Sequence, residues 1–461
     1  MKQKIKENLF EIMMIVLFLG MAVLVCPHNS INFDEFYTVY WCKCEWSEFL
    51  YQVLHDTSPF LYYFMIRPVM VLTGQSIFIA RLFSLLSLLV MLLVGVGFVK
   101  KTFGQKAGFF FMAILFLNPF MLQKSIEIRM YGWASAFTVL SGVMCYRLLK
   151  KPEKKEWIWF TVFSLLAAYT HYYAVLSMVF LYLGLLFYFL ASHNKKEVKN
   201  FFICGIATVL AYLPFLLIAM AQIRESSGNW IPIPDSRLQA LKELFYSEVS
   251  YSEFFYLGLM AAATVFAFIV FLKKRCVESY WSLVCCSALW GIVAFCVVFG
   301  ELVKPIMLSR YLIMPVCLLF LGMSFAVKYI NKYVVLVICL IMALIAGIRF
   351  TYVYKATAAD ETVKMLEFAE ENIAEGDKVV LISKDDYLYN CVDYFIPQAQ
   401  IIYIGDFDAE VFEKEEADDI FWFLDNGEFI DKKALEEKGL MITEYGWYQF
   451  GYIDMEVYQI Q

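Results

Sequence analysis

Long apolar stretches recur along the chain as far as Phe350, and most approach the length of a helix that crosses a bilayer. Such a helix needs about 20 mainly apolar residues. Eleven stretches fit this description, at residues 9–26, 77–99, 107–122, 129–149, 156–170, 172–190, 200–220, 254–272, 279–299, 308–327 and 333–350. The first is not followed by a small-residue cleavage site, so it is interpreted as a membrane helix and not as a signal peptide. We therefore predict eleven membrane helices.

The segment between the first and second stretches has an apolar pattern of its own. Apolar residues recur at helical spacing from Trp46 to Leu54, and residues 60–72 form a second apolar run that Arg67-Pro68 interrupts. Both runs are too short to cross a bilayer. We predict two helices that lie in the membrane interface, either as packing elements or as the wall of a substrate site.

After Phe350 the pattern changes to that of a small α/β domain. A helical period runs from Glu361 to Ile373, and a second helix is predicted at 387–395. Short strands are predicted at 378–383, 401–404, 420–424, 441–443 and 452–458. No glycine-rich phosphate loop follows a strand, and no Ser-His-Asp or Cys-His set is visible. The predicted fold class is a polytopic α-helical membrane domain, residues 1–350, followed by a small C-terminal α/β domain, residues 351–461.

Composition and charge support this division. The chain is 61% hydrophobic and only 18% charged, which is too apolar for a set of soluble domains. Its net charge of −6 averages two unlike parts, since residues 1–350 carry a net +12 and residues 351–461 a net −18. A soluble enzyme is excluded. A nucleic-acid binder is excluded as well, because no basic surface lies outside the membrane part.

The basic residues also predict an orientation. Of the 30 Lys and Arg residues before position 351, 19 fall in alternate connections, at residues 2–6, 100–106, 147–155, 195–199, 273–275 and 328–332. Short loops rich in Lys and Arg lie on the cytoplasmic side. The N-terminus is then cytoplasmic, and the segments 27–76, 221–253 and 300–307 lie outside with the tail. We expect a multi-pass cell-membrane protein with an extracytoplasmic C-terminal domain.

The cysteine pattern predicts neither disulfides nor a zinc site. Most of the 12 cysteines lie in apolar stretches, where a thiol behaves as a small buried hydrophobe. Cys42 and Cys44 are separated by one residue, which is poor geometry for a disulfide. No histidine or second cysteine pair completes a zinc set around them.

Candidate chemistry begins with two adjacent carboxylates, Asp34 and Glu35, just after the outer end of the first membrane helix. Carboxylates at a membrane mouth are costly to desolvate and tend to be functional where they face a cavity. The alternative is a solvated pair in a loop. His55 and Asp56 follow in the same segment, before the helix start at Ser58-Pro59. Asp56 either caps a helix or orients a sugar hydroxyl.

Further charged and aromatic residues recur at the outer ends of the helices. They are Arg81, Glu127, Arg129, Tyr131, His171, Arg310 and Tyr311. Taken singly, each charged residue is explained by snorkelling or helix capping. Taken together, they put arginines, a histidine and tyrosines on the same side as Asp34. Such a set suits a phosphate-linked sugar, because arginine offers a planar fork to phosphate oxygens while tyrosine faces the sugar.

The motifs and their order resemble a known family. The motifs are the Asp34-Glu35 pair, Asp56-x-x-Pro59-x-Leu61-Tyr62-Tyr63, Arg81-x-x-Ser84, Glu127-x-Arg129-x-Tyr131-Gly132, Thr170-His171-Tyr172 and Ser309-Arg310-Tyr311. They are similar to those of the bacterial relatives of the protein O-mannosyltransferases and the lipid A aminoarabinose transferase. Those proteins are membrane glycosyltransferases of the GT-C fold that use polyprenyl-phosphate-linked sugars. The resemblance covers roughly residues 5 to 350.

The resemblance implies a role for each matching residue. Asp34 would be the catalytic base, and Glu35 would orient the acceptor or Asp34. Contacts to the substrate would come from His55, Asp56, Tyr62, Glu127, Tyr131, His171 and Tyr311. The chain departs from the aminoarabinose transferases at Thr57-Ser58-Pro59, where they have Lys-Pro-Pro. The phosphate contact of that lysine would have to come from Arg81, Arg129, Arg310 or Lys304.

The implied reaction is transfer of a sugar, with inversion, from a polyprenyl phosphate in the membrane lipid to an acceptor glycan, lipid or protein hydroxyl at the outer face. It needs no cofactor if arginines neutralise the phosphate, and a divalent ion held by Asp34, Glu35 and Asp56 is the alternative. A lipid-linked sugar flippase would place its ionisable residues near mid-membrane, whereas these cluster at one face. An oligosaccharide ligase of the same fold class is the closest competitor.

Overall fold

The computed structural model describes residues 8–26, 31–225, 241–243, 251–303, 305–358, 361–382, 386–404, 409–412, 421–425, 432–450 and 453–461. Contacts divide the chain into two units. The first unit is Met1–Cys26 with Cys44–Tyr354, and the second is Pro27–Lys43 with Lys355–Gln461. Lys304 and most of the predicted outer connection 221–253 lie outside the described residues.

The first unit is built from helices. In chain order the helices are α1 (Leu9–Val23), α2 (Phe33–Lys43), α3 (Trp46–His55), α4 (Leu61–Leu72), α5 (Ile77–Phe103), α6 (Gln105–Phe116), α7 (Pro119–Ile126), α8 (Tyr131–Lys150), α9 (Lys154–Ala168), α10 (Tyr172–Ala191), α11 (Lys195–Glu225), α12 (Ser252–Lys274), α13 (Val277–Leu302), α14 (Ile313–Ala326) and α15 (Lys332–Ala358). All but α2 belong to the first unit, which α15 leaves near its end. The two short helices predicted at 46–54 and 60–72 are present as α3 and α4.

Seven helices within the described ranges are long and apolar enough to cross a membrane. They are α5, α10, α11, α12, α13, α15 and the segment Ser309–Tyr329 that contains α14. An eighth is counted if α6 and α7, which are bent by 67° at their junction, form one span. A helix occupies each of the eleven predicted stretches, but α1 and α9 have only 15 residues, fewer than the 20 or so that a span needs. The chain is a multi-pass membrane protein.

The predicted helix at 107–122 is broken in the structure. Asn118 caps the start of α7, where its Oδ1 accepts a hydrogen bond from the Met121 amide at 2.8 Å. Pro119 occupies the first turn, where its missing N–H costs no helix bond. Capping and proline together begin a new helix here, and the chain changes direction.

α14 forms the centre of the first unit. All of its 14 residues are buried, as expected for a helix that is apolar on every side. Its most extensive partners are α13 and α8. At Gly322, a Cβ atom would lie 2.8 Å from the Ser282 carbonyl oxygen and 2.8 Å from Cys286 Sγ. α13 and α14 can approach this closely only because residue 322 has no side chain.

Gly322→Ala is expected to destabilise the protein by about 1–3 kcal/mol, because the added methyl group overpacks against a backbone oxygen that cannot rotate away. The measurement is thermal unfolding of the purified protein in detergent. Gly205→Ala is the matched control, since no atom lies within 4 Å of the Cβ position there. It should leave the stability unchanged or raise it slightly, because alanine is the better helix former. Equal losses in the two variants would contradict the packing described.

The second unit is an α/β domain joined by α2. Its tail elements are α16 (Glu361–Asn372), β1 (Lys378–Ile382), α17 (Asp386–Phe395), β2 (Gln400–Ile404), β3 (Phe421–Asp425), α18 (Lys432–Glu437), β4 (Ile442–Phe450) and β5 (Ile453–Ile460). They form a five-stranded sheet in the order β2-β1-β3-β5-β4. β1 runs parallel to β2 and β3, and β5 runs antiparallel to β3 and β4.

Each face of this sheet has its own apolar core, because successive residues of a strand point to opposite faces. Val379 and Leu381 join the cluster beneath α16 and α17, together with Trp422. Val380 joins the other cluster with Phe423 and with Leu435 of α18. The α/β domain predicted for the tail is confirmed.

Two helices were not predicted. α18 follows β3, and its six residues give too short a pattern to recognise. α2 lies in the segment interpreted as an outer loop, and it carries Asp34 and Glu35. The structure also groups α2 with the tail, whereas the sequence predicted a single domain for residues 1–350.

Candidate functional site

The polar centre of the first unit lies where α7 ends and α8 begins. Lys124 and Glu127 form an ion pair there, and both side chains are buried. Lys124 Nζ also lies 5.3 Å from the ring centroid of Tyr131. The backbone turns at Glu127, whose carbonyl oxygen accepts a hydrogen bond from the Arg129 amide at 2.7 Å. The Glu-x-Arg-x-Tyr-Gly motif thus holds an acid, a guanidinium group and a phenol inside the protein.

Arg129 is connected to Asp56 through Tyr63. The Arg129 Nη1 group donates to the Tyr63 hydroxyl oxygen at 2.9 Å, and that hydroxyl donates to Asp56 Oδ2 at 2.6 Å. Tyr63 is fully buried, and Arg129 is 6% exposed. Asp56 is the C-cap residue of α3. Because its carboxylate accepts the Tyr63 hydroxyl proton, the lone pairs of that hydroxyl oxygen are left to accept from Arg129. Asp56 therefore orients Arg129 through a phenol.

An aromatic cluster lies beside this chain. The His171 ring centroid is 5.0 Å from that of Tyr311 and 5.7 Å from that of Tyr131. Tyr173 completes the cluster, 5.3 Å from Tyr311, and its hydroxyl donates to the Ile306 carbonyl oxygen at 2.5 Å. Three separate parts of the chain therefore contribute rings to this cluster.

His171 is an uncharged side chain near two arginines. Its Nδ1 accepts a hydrogen bond from the Tyr173 amide at 3.0 Å, so the neutral ring carries its proton on Nε2. Burial lowers the pKa of His171 from 6.5 to about 3, and the charges of Arg129 and Arg310 add to this effect. At neutral pH the ring is an uncharged hydrogen-bond donor, and the two arginines supply the positive charge.

Arg81 and Tyr62 lie at the contact between α4 and α5. Arg81 is 2% exposed, and one turn later Ser84 Oγ forms a 2.8 Å hydrogen bond with the Tyr62 hydroxyl. The bond fastens α4 to α5. The charge of Arg81 acts on Cys26, which follows the end of α1, whereas the charges of Arg129 and Arg310 act on His171.

The two carboxylates of α2 have different surroundings. Glu35 is 3% exposed and takes part in a capping box with Asn32. Its Oε2 accepts from the Asn32 amide at 3.1 Å, and Asn32 Oδ1 accepts from the Glu35 amide at 2.9 Å. Asp34 lies in the same first turn and is half-buried. The helix dipole favours a carboxylate at this position.

The structure does not bring all of the predicted site residues together. His55 is exposed, and its Nδ1 bonds the Tyr51 carbonyl oxygen within its own helix at 2.8 Å. Lys304 lies outside the described residues. Asp56 belongs to the first unit, while Asp34 and Glu35 belong to the second. No group of three His, Cys, Asp or Glu residues among those described is arranged to hold a metal ion.

Sequence reasoning missed Tyr63, Lys124 and Tyr173. A signal existed for Lys124, because Asn118-Pro119 marks a helix start and places Lys124 one turn before Glu127. The roles of Tyr62 and Tyr63 had no such signal, because neighbouring tyrosines on a short helix differ only in the direction they face.

Comparisons with known proteins give a family match and a fold match. Residues 57–219 match the sequence model of the family described as dolichyl-phosphate-mannose-protein mannosyltransferase. No curated protein sequence matches the chain significantly.

Two crystal structures of ArnT from Cupriavidus metallidurans match the chain. The one bound to undecaprenyl phosphate has a TM-score of 0.61 at 10% identity and covers 98% of both chains. The one in the apo state has a TM-score of 0.47 at 9% identity, covering 96% of this chain and 97% of that one. The resemblance to membrane glycosyltransferases is confirmed: the chain has the GT-C fold, and its residues 57–219 match the dolichyl-phosphate-mannose-protein mannosyltransferases.

Proposed function

We propose that the protein is a glycosyltransferase that moves a sugar from a polyprenyl-phosphate-linked donor to an acceptor hydroxyl at the outer membrane face. The observation that carries this proposal is that the charges of Arg129 and Arg310 both act on the neutral His171, which lies among tyrosine rings. Two guanidinium groups and a fixed donor, set among tyrosine rings, form a site for a phosphate joined to a sugar. The family match includes Arg129 and His171, and the similar ArnT structure binds undecaprenyl phosphate.

The donor phosphate is held by Arg129 and Arg310 in this proposal. As the bond from the anomeric carbon to the phosphate oxygen breaks, negative charge grows on the phosphate, and the guanidinium groups stabilise it. Asp56 and Tyr63 keep Arg129 oriented, so little reorganisation is needed at the moment of reaction. Lys124 is already neutralised by Glu127, which leaves the arginines as the phosphate ligands.

The polyprenyl chain has a suitable place in the first unit. A cavity of about 430 Å³ is lined almost wholly by apolar side chains of α1, α6, α7 and α15. α7 has Leu122 and Ile126 on this cavity, while its Lys124 lies in the polar centre. We propose that the cavity takes part of the lipid chain, so that α7 separates the lipid from the charged end of the donor.

The acceptor is activated by Asp34. The carboxylate accepts the proton of the acceptor hydroxyl while the hydroxyl oxygen attacks the anomeric carbon. One displacement inverts the configuration, and polyprenyl phosphate leaves. Glu35 caps α2, so Asp34 is the single base. The reaction needs no cofactor or metal ion, because arginines balance the charge of the phosphate.

The orientation proposed rests on the Lys and Arg residues of the short connections. Their distribution over alternate loops supports a cytoplasmic N-terminus. Asp34 and the tail then lie on the outer side, where an envelope glycan, lipid or protein supplies the acceptor hydroxyl.

Mass spectrometry of envelope fractions from cells with and without the protein tests this function. We expect one envelope component to lose a single sugar when the protein is absent, and to regain it when the wild-type gene is restored. Loss of a whole oligosaccharide chain would favour an oligosaccharide ligase. Unchanged envelope glycans would contradict the proposal.

A further inference from the structure

α2 has an unusual place in the chain. It lies between two segments of the first unit, yet its contacts group it with the tail. The first unit resumes at Cys44, whose carbonyl oxygen accepts a hydrogen bond from Arg67 Nη2 at 2.9 Å. The Arg67 guanidinium lies 4.8 Å from the ring centroid of Trp46 and 4.3 Å from that of Phe49. The chain is therefore anchored just after α2, and α2 itself takes its support from the second unit.

One face of α2 meets α17 of the tail. Phe36, Val39 and Cys42 recur at a spacing of three residues, and none is more than 1% exposed. The Phe36 ring packs edge to face on Tyr394 of α17, with centroids 6.0 Å apart and planes at 88°. Lys43 Nζ lies 5.3 Å from the Tyr394 ring centroid. Tyr394 thus touches α2 near both of its ends.

Tyr394 is the main element of this contact. The neighbouring ion pair, Lys43 Nζ to Asp393 Oδ2, is 4.0 Å long, with side chains 40% and 44% exposed. An exposed pair of this kind holds a helix only weakly, because water and salt screen it. An edge-to-face pair of rings is favourable beyond the area it buries. Tyr394 is half-buried, and its burial, together with the nearby Cys42, raises its pKa to about 12.

We propose that Tyr394 is a positioning residue that holds α2, and with it Asp34, in the geometry needed for transfer. The inference rests on the proposed role of Asp34 as the base. Asp34 is two residues from Phe36, so a tilt of α2 about the Phe36–Tyr394 contact moves the carboxylate. A base displaced by about 1 Å can lose about 100-fold in rate. The tail then affects transfer through the position of α2.

The position of α2 can be measured without an activity assay. Cys42 is 1% exposed, whereas Cys44 is partly exposed. In the full-length protein, Tyr394→Ala should increase the rate of maleimide labelling at Cys42 by about tenfold or more, because local opening governs access to a buried group. Labelling at each cysteine is quantified by peptide mass spectrometry, and Cys44 serves as the internal reference.

The same variants are then assayed for transfer. Tyr394→Ala should lower kcat about 10- to 100-fold while leaving the donor KM close to the wild-type value, since the phosphate ligands are untouched. Tyr394→Phe keeps the ring and should behave as wild type in both measurements. Tyr445→Ala is the control for the loss of a tyrosine elsewhere in the tail, because Tyr445 is exposed and packs on two residues of the tail core, Phe368 and Trp422.

The outcomes separate this inference from the proposed function. Unchanged Cys42 labelling and kcat in Tyr394→Ala would overturn it, as would equal effects in Tyr445→Ala. Undiminished transfer by Asp34→Asn would overturn the assignment of the base, and with it any role for Tyr394 in positioning that base. In that case, Cys42 labelling still reports whether Tyr394 holds α2.

Discussion

Asp34→Asn is expected to lower kcat about 100- to 10 000-fold, the usual contribution of a general base. Asparagine has the size of aspartate but cannot take up the proton of the acceptor hydroxyl. The donor KM should change little, because the proposed phosphate ligands are arginines. The measurement is steady-state transfer by the purified protein in lipid vesicles.

Glu35→Gln is the matched control for Asp34→Asn. Glu35 uses its carboxylate to cap α2, and glutamine serves equally well at this position of a capping box. Transfer by Glu35→Gln should stay within about twofold of wild type, since a surviving cap leaves the helix in place. Similar losses in the two variants would show that the pair acts through the structure of α2, which would contradict the assignment of Asp34.

Arg129→Ala is expected to lower kcat/KM about 100- to 1000-fold, the cost of removing one donor that stabilises charge developing in a transition state. Arg129→Lys keeps the charge but loses the planar fork, so it should fall between alanine and wild type. Steady-state kinetics with varied donor concentration measures both effects.

Arg147→Ala controls for the loss of an arginine elsewhere in the first unit. Arg147 is exposed near the C-terminal end of α8, whereas Arg129 precedes the first residue of that helix. It should transfer sugar as the wild type does. A normal kcat/KM in Arg129→Ala would remove Arg129 from the phosphate site, and the thermal unfolding curve of each variant shows whether the fold was retained.

The fold class followed from the sequence because its signals are long and repeated. Stretches of about 20 apolar residues can satisfy their backbone in a bilayer only as helices, and short runs of β-branched and aromatic residues in the tail identified its strands. Shorter elements were harder to predict. α18 has only six residues. α2 has both polar and apolar residues, and the partner of its buried face is the tail, which follows about 300 residues later in the chain.

The candidate site was only partly predictable for a similar reason. Motif order identified Arg129, His171 and Arg310 as candidates, but their proximity depends on how the segments before α8, α10 and α14 pack. Asn32-x-x-Glu35 has the pattern of a capping box, so the structural role of Glu35 was readable in the sequence. The link from Asp56 to Arg129 runs through Tyr63, and no local spacing predicts a bond between side chains 66 residues apart.

Donor use by the purified protein shows whether the transferred sugar comes from a polyprenyl phosphate. The protein is reconstituted in vesicles with envelope acceptors and offered either a polyprenyl-phosphate sugar or the corresponding nucleotide sugar, each labelled in the sugar. We expect the label to leave only the polyprenyl donor, with release of free polyprenyl phosphate and inversion at the anomeric carbon of the product. Consumption of the nucleotide sugar while the polyprenyl donor stays intact would contradict it.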